Sequence, residues 1–206
     1  MGKTALVDYG AGNLHSVHNA LSAVGADVLV TADPGAIMRA DRIVLPGVGA
    51  YRTCATGLRR IPGMIEAMEQ RVLGDGVPFL GICVGMQLLA TRGHEHGETP
   101  GLDWIAGDVL PIEHGGADVR VPHMGWNDVT PIGDIAGGLV EEGEAYLLHS
   151  YHFVPNDENH VLATTDHGGP LVAAVGRDNI LGMQFHPEKS QRYGLAMLER
   201  FIAWSP

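Results

Sequence analysis

Short apolar runs alternate with stretches of helical periodicity through the N-terminal half of the chain, and this alternation restricts the fold more than any other feature. Residues 5–7, 28–30, 43–45 and 79–82 read as buried strands. Leu14, Val17, Leu21 and Val24 recur at helical spacing between the first two and stop at Gly25. Residues 64–73 supply a second helical pattern, closed by Gly74-Asp75-Gly76. Strands interleaved with helices need right-handed crossovers, which lay helices over both faces of a parallel sheet. The texture changes after about Gly93. Residues 109–112, 119–121, 146–154, 161–165, 171–175 and 180–185 read as β-rich runs parted by Gly, Asn, Asp and Pro, the pattern of antiparallel strands and hairpins. Tyr193, Met197, Phe201 and Trp204 mark a last helix, its apolar face widened by Leu195, Leu198 and Ile202. No internal repeat, low-complexity tract or linker interrupts the 206 residues. The expectation is one α/β domain over residues 1–206, with a mostly parallel central sheet and an antiparallel β-rich extension.

Charge and cysteine usage narrow the function. Aspartate and glutamate outnumber lysine and arginine 24 to 13, a formal charge of -11 that opposes attraction to phosphate backbones and anionic lipid. Neither nucleic acid nor a membrane is an expected partner. Residues 1–8 hold a short apolar run with an Asp and no basic lead-in or long hydrophobic segment, so a cytoplasmic location is expected. Cys54 and Cys83 are the only cysteines, too few for a disulfide framework and without metal-ligand spacing. Both are expected as free thiols, and no metal or cofactor is expected.

Gly81-Ile82-Cys83-Val84-Gly85 directly follows the apolar residues 78–80 and precedes a helical stretch with Met86, Leu88 and Leu89. A nucleophile at a sharp strand-to-helix turn sits on strained backbone, which small neighbours permit, and the free N–H groups of a helix start favour an anion there. The Val84 amide, next to the thiol, is placed to donate to an oxyanion. Cys54 has no such setting and reads as a buried structural cysteine. Gln184-Phe185-His186-Pro187-Glu188 supplies a base at the end of the run that starts at Ile180. If extended backbone persists, alternation puts Gln184, His186 and Glu188 on one side, and Pro187 favours that conformation in the residue before it. His186 then takes the thiol proton while Glu188 orients the imidazole and stabilises its cation. His94-Glu95-His96 is the other cluster with metal-capable side chains, and no further spaced ligand accompanies it.

Gly81-Ile82-Cys83-Val84-Gly85-Met86-Gln87 together with Gln184-Phe185-His186-Pro187-Glu188-Lys189-Ser190 resembles the class I, triad-type glutamine amidotransferases, and the likeness spans the whole chain. It implies a flavodoxin-like fold with a split, partly antiparallel sheet. Within that family, Asp8-Tyr9-Gly10-Ala11-Gly12-Asn13-Leu14, Pro46-Gly47-Val48-Gly49 and Pro122-His123-Met124-Gly125-Trp126-Asn127 are similar to the glutaminase subunits of the imidazole glycerol phosphate synthases of histidine biosynthesis.

The resemblance implies that Cys83 attacks the glutamine side-chain amide, that His186 protonates the leaving ammonia, and that water hydrolyses the glutamyl thioester. It places a second oxyanion donor in the backbone around Val48 and Gly49, where flanking glycines let a peptide reorient; an ordinary strand-to-helix turn is the alternative. Gly47, Gln87, Glu95 and the segment His149-Ser150-Tyr151 fall on positions that hold the glutamine, Glu95 on the one that meets its α-ammonium. A solvated loop charge at Glu95 and plain strand residues at 149–151 are the alternatives. Asn13, Met124, Trp126, Asn127 and Lys189 fall on the face that meets a (β/α)8-barrel cyclase subunit in a heterodimer, unless the Trp fills a core. Ammonia is protonated and lost in bulk water, so a sheltered passage between the two sites is implied. The coupled products are imidazole glycerol phosphate and an aminoimidazole carboxamide ribonucleotide. His15 departs from the pattern, standing where many relatives carry a basic residue.

Two rival readings stand beside this one. A glutaminase for another acceptor, such as pyridoxal phosphate or guanylate synthesis, shares the triad and is opposed only by Met124-Gly125-Trp126-Asn127 and residues 9–13. A non-catalytic interaction module with a redox-sensing cysteine leaves the pairing of His186 with Glu188 without a purpose.

Overall fold

The computed structural model describes residues 2–113, 119–132 and 138–206. Strand β1 (Lys3–Val7) leads through α1 (Leu14–Ala23) to β2 (Asp27–Thr31), and α2 (Pro34–Ile37) returns the chain to β3 (Arg42–Gly47). Helices α3 (Tyr51–Arg59) and α4 (Met64–Glu69), the latter widening into a π turn at Gln70–Gly74, precede β4 (Phe79–Cys83) and the one-turn α5 (Val84–Gln87). Short strands β5 (Arg92–Gly93) and β6 (Thr99–Pro100) follow, then β7 (Gly107–Pro111), β8 (His123–Pro131), β9 (Gly143–His149) and β10 (Tyr151–Pro155). The chain ends through β11 (Val161–Asp166), β12 (Pro170–Arg177), β13 (Ile180–Met183) and α6 (Gln191–Ala203). Side chains fix the helix starts: Asn13 Oδ1 accepts from the Ser16 N–H at α1, and Asp33 Oδ1 accepts from the Gly35 N–H at α2. Gly25, at φ 85°, follows α1, where an L side chain would be strained.

The large sheet runs β2-β1-β3-β4-β13-β12-β11-β8-β9, and a smaller one runs β10-β7-β5-β6. Its first five strands are parallel to one another, and β12, β11, β8 and β9 continue it in antiparallel fashion. The order reverses at β1, so right-handed crossovers send α1 to one face and the later helices to the other. Helix α6 joins α1, while α2, α3, α4 and α5 contact one another across the sheet. Leu6, Leu45, Phe79, Leu80 and Leu181 are fully buried between these layers. Each such side chain contributes roughly 1.5–3 kcal/mol by leaving water.

Several expectations need correction. The run 180–185 stops pairing at Met183, and it lies parallel to β4 while antiparallel to β12. The run 146–154 is two strands in two different sheets, parted at Ser150. Residues 119–121 form no strand and lead into the cis Val121–Pro122 bond, where proline has no N–H to give a ladder. Helix α3 and strand β8 were not legible. The buried stripe of α3 is Tyr51, Cys54, Ala55 and Leu58, too weakly apolar to stand out, and β8 inverts the usual pattern, with Met124 and Trp126 exposed while His123 is buried.

For the site, the decisive feature is that β3, β4 and β13 are neighbours. Gly47 is level with Cys83, and Met183 with Ile82, so all three strands release their chains at one edge. Helix α5 can start there because Gly85 has no side chain: a Cβ would run into the Leu45 carbonyl oxygen of β3. Gly85→Ala should therefore push α5 off β3. We expect it to lower stability by about 1–3 kcal/mol, the range of an overpacked core, seen as a lower urea midpoint with an unchanged slope.

Candidate active site

Cys83 ends β4 at φ 55° and ψ -112°, a backbone state that costs a non-glycine residue about 1–3 kcal/mol. It is maintained because β4 is bonded on both sides and α5 begins at once, leaving the turn no room to relax. The strain lifts the thiol out of the sheet plane at the start of a helix, with the Val84 N–H beside it.

His186 reaches the same point from β13. Its N–H donates to the Tyr146 carbonyl at 2.9 Å, and its own carbonyl accepts from Ser190 Oγ at 2.7 Å. Ser190 Oγ also accepts from the Tyr146 N–H at 2.9 Å, so one hydroxyl ties β9, His186 and the start of α6 together. The imidazole Nδ1 meets Glu188 Oε1 at 2.8 Å, with both side chains almost wholly buried. Extended alternation does not produce this pair, contrary to expectation. Pro187–Lys189 is a single 3-10 turn, which folds the carboxylate back under the ring. On its free side the imidazole faces the cavity that Cys83 also lines, and Gln184 Nε2 donates to the Cys83 sulfur at 3.7 Å. Burial works against a charge on His186, but hydrogen bonds to Cys83 and Glu188 and their charges outweigh it and raise its pKa to about 9.

A cavity of about 490 Å³ opens over Cys83 and His186. Val48, Gly49 and Val84 are among the residues that line it. Gln87, Glu95, His149, Ser150 and Tyr151 line the rest, with Asn13 and Lys189 at the wall. Gln87 is buried and fixed, its amide donating to the Tyr151 carbonyl and to Gln184 Oε1, each at 3.0 Å. Glu95 is no free loop charge: Oε2 accepts from the Tyr51 N–H at 2.6 Å, at the start of α3. Gly47 does not line the cavity. It lies beneath, where a Cβ would meet Gly85 N at 2.7 Å and Tyr9 Oη at 3.0 Å. Met124 and Trp126 are outside and exposed, at 65% and 46%, whereas Asn127 turns inward to His123 and the Asp166 carbonyl. A larger hollow, about 720 Å³, lies at the opposite end of β13, around Asn179 and Trp204 and away from the thiol.

Sequence reasoning assigned no role to Tyr146, Ser190 or Leu148, named Gln184 only for its side of the strand, and gave Pro122 and His123 only a place in the segment expected to meet the cyclase. His123 is instead a buried histidine whose Nδ1 meets His149 Nε2 at 3.1 Å. Burial, helped by neighbouring histidines, pushes His123 down to about 4 and His149 to about 3, so both are neutral. Only the Pro122-His123-Met124-Gly125-Trp126-Asn127 motif signalled this region in advance.

The glutamine amidotransferase class-I family model matches residues 5–204. Imidazole glycerol phosphate synthase subunit HisH of Zymomonas mobilis is 57% identical over 98% of this chain and 96% of its own length. The same-named subunit of Caulobacter vibrioides is 49% identical over the full length of both. Among solved structures, a glutamine amidotransferase superposes with a TM-score of 0.74 at 20% identity, covering 97% of this chain and 98% of its own. PurLQS from Thermotoga maritima gives 0.72 at 18% identity, covering 98% of each chain. At such identities these two establish a shared fold.

The His186 value carries a pH dependence. Because it lies above the ordinary histidine value of 6.5, the stabilisation lent by the imidazolium is complete below pH 6.5 and is lost as the pH rises through about 9. Histidine-selective NMR should show this ring titrating near pH 9, and Cys83→Ala should move its midpoint down. A wild-type midpoint at or below 6.5 would contradict the assigned contacts.

Proposed function

The chain belongs to the glutamine amidotransferase class-I family, and from that premise we propose that it works as the glutaminase subunit of an imidazole glycerol phosphate synthase, with residues 1–206 as one amidotransferase domain. The observation that carries the activity is the convergence of Cys83, His186 and Glu188 at the carboxyl ends of adjacent parallel strands, under one cavity. Glutamine enters with its side-chain amide over Cys83. The sulfur attacks the amide carbon, and the negative oxygen is met by the Val84 N–H and by backbone at Val48 and Gly49. His186 holds the proton that the sulfur surrenders and passes it to the departing nitrogen, so the C–N bond breaks as ammonia leaves and a thioester stays. Water then adds to the thioester, His186 takes its proton and returns it to the sulfur, and glutamate departs. Glu188 holds the ring throughout. Gln87, Glu95 and the 149–151 backbone hold the amino-acid end of the substrate.

Ammonia is consumed on a partner subunit, which closes imidazole glycerol phosphate and releases an aminoimidazole carboxamide ribonucleotide. The partner is a (β/α)8-barrel cyclase in a heterodimer, and the complex is cytoplasmic. Among the described residues, no helix is long and apolar enough to cross a membrane. The surface beside the cavity supports the docking face. Lys189 Nζ sits 5.7 Å over the Tyr146 ring, which meets Trp126 edge-on at 6.2 Å, and Met124 stands exposed on the same strand as Trp126. An acceptor such as pyridoxal phosphate or guanylate is not favoured, because relatives matching the whole length are subunits of one synthase.

Glutamate release from glutamine tests the reading, with and without a cyclase subunit and its nucleotide. We expect low basal release, strong stimulation by the loaded cyclase, and a loss of about 10³-fold or more in Cys83→Ala. No stimulation by the loaded cyclase would point to another acceptor. Inertness towards glutamine under every condition would favour the interaction module.

A further inference from the structure

We infer that Gln184 is a further catalytic residue, whose side-chain amide holds the Cys83 sulfur from the protein side and stabilises it whenever it carries negative charge. Met183 of β13 is level with Ile82 of β4, so the residues that follow them, Gln184 and Cys83, leave the sheet side by side. The Gln184 backbone N–H donates to the Ala173 carbonyl at 2.9 Å, which fixes the residue where pairing with β4 ends. From there its Nε2 reaches the sulfur at 3.7 Å, a span that the large sulfur atom allows a hydrogen bond.

The direction of the amide is set by a chain of bonds that starts on an obligate acceptor. The Tyr151 carbonyl oxygen can only accept, so the end of Gln87 that lies 3.0 Å from it is the nitrogen. The second hydrogen of that nitrogen goes to Gln184 at 3.0 Å, so the atom it meets there is the oxygen. The nitrogen of Gln184 is left for the sulfur. His149 Nδ1 donates to the same Tyr151 carbonyl at 2.9 Å and steadies the start of the chain. Reversing Gln184 would set two amide nitrogens against each other and turn an oxygen on the nucleophile.

Burial separates this role from packing and from substrate binding. Gln184 is fully buried and is not among the residues that line the cavity. An amide in such a place is costly unless its hydrogen bonds are made, and an apolar chain of similar shape would fill the space as well. What an apolar chain cannot do is donate to sulfur. A thiol sulfur is a weak acceptor and its anion a strong one, and the difference is largest away from water. The amide therefore favours the sulfur as its proton passes to His186. It does so again when the carbon–sulfur bond of the thioester breaks, the electron pair returns to sulfur, and His186 gives the proton back.

This inference deepens the glutaminase reading and rests on it, and the test keeps the two apart. Gln184→Met removes the donor and keeps the length of the side chain. In the free subunit at neutral pH, it should slow alkylation of Cys83 by iodoacetamide by about 10-fold, the lower end of what a hydrogen bond to a charged group is worth. In the complex with the nucleotide-loaded cyclase, kcat for glutamate release should fall by a similar factor of about 10, with KM for glutamine unchanged. A second measurement leaves Gln184 in place: Cys83→Ala should shift the Gln184 side-chain amide resonances in the NMR spectrum of the free subunit. Wild-type alkylation and kcat in Gln184→Met, a raised KM with kcat intact, or Gln184 resonances unmoved by Cys83→Ala would each overturn the inference. If Gln184→Met does not fold, the resonances decide alone. If the wild-type complex releases no glutamate, the glutaminase reading fails, and alkylation and the resonances still decide whether the amide acts on the sulfur.

Discussion

The site depends on backbone touching backbone at the junction of β3 and β4. Parallel strands bring their carboxyl ends to one edge, but a reacting group needs more than a shared edge. It needs the next helix to begin without clearance, so that the nucleophile cannot relax from its strained conformation. Gly85 against the Leu45 carbonyl provides that contact, and Gly47, at the end of the same strand, provides a second one against Gly85. Two side chains that are absent set the position of the one that reacts. The strain at Cys83 is then balanced by the burial of the strands and helices on either side, each fully buried leucine contributing roughly as much as the turn costs.

A second constraint is electrostatic. His186 and Glu188 are nearly excluded from water, and taking an ion pair out of water costs more than a surface pair returns unless hydrogen bonds are well made. Here the imidazole is held by the carboxylate at Nδ1, and the influence of Glu188 and of the nearby Cys83 lets the cation survive to a pH well above its ordinary limit. The 3-10 turn at Pro187–Lys189 is what makes the geometry possible. An extended chain would place the carboxylate on the same side as the ring, whereas the turn brings its oxygen within 2.8 Å of Nδ1. Ser190 then fixes the turn by bonding back to the His186 carbonyl.

The parallel half of the fold was legible because buried parallel strands are apolar on both faces, and the helices between them carry Leu and Val at regular intervals. Cys83 was legible for a related reason: glycines on both sides of a cysteine after such a strand have few other uses. Helix α3 was not, since cysteine and alanine carry much of its buried stripe, and Cys54 was accordingly read as filler with no polar task. Strand β8 was hidden by a run of His, Trp, Asn and Asp that pairs through its backbone while its side chains serve the surface and the site. The pairing of His186 with Glu188 was expected for the wrong geometric reason. Two-residue spacing permits both an extended ladder and a tight turn, and only tertiary contacts to Tyr146 and Ser190 select between them.

Polar residues on β8 and β9 connect that surface to the nucleophile. The Asn127 amide donates to His123 Nε2, His123 Nδ1 to His149 Nε2, and His149 Nδ1 to the Tyr151 carbonyl, at 3.0, 3.1 and 2.9 Å. Gln87 donates to that same carbonyl and to Gln184, which donates to the Cys83 sulfur. Each imidazole in the sequence is a donor at Nδ1 and an acceptor at Nε2, which only the neutral ring allows. Protonating either would remove an acceptor and set two donors face to face, and burial keeps both rings neutral at physiological pH. The two kinds of histidine in this site therefore follow opposite rules. His186 must hold a proton among groups that favour the cation, while His123 and His149 must refuse one, a few ångströms of packing away from the same cavity.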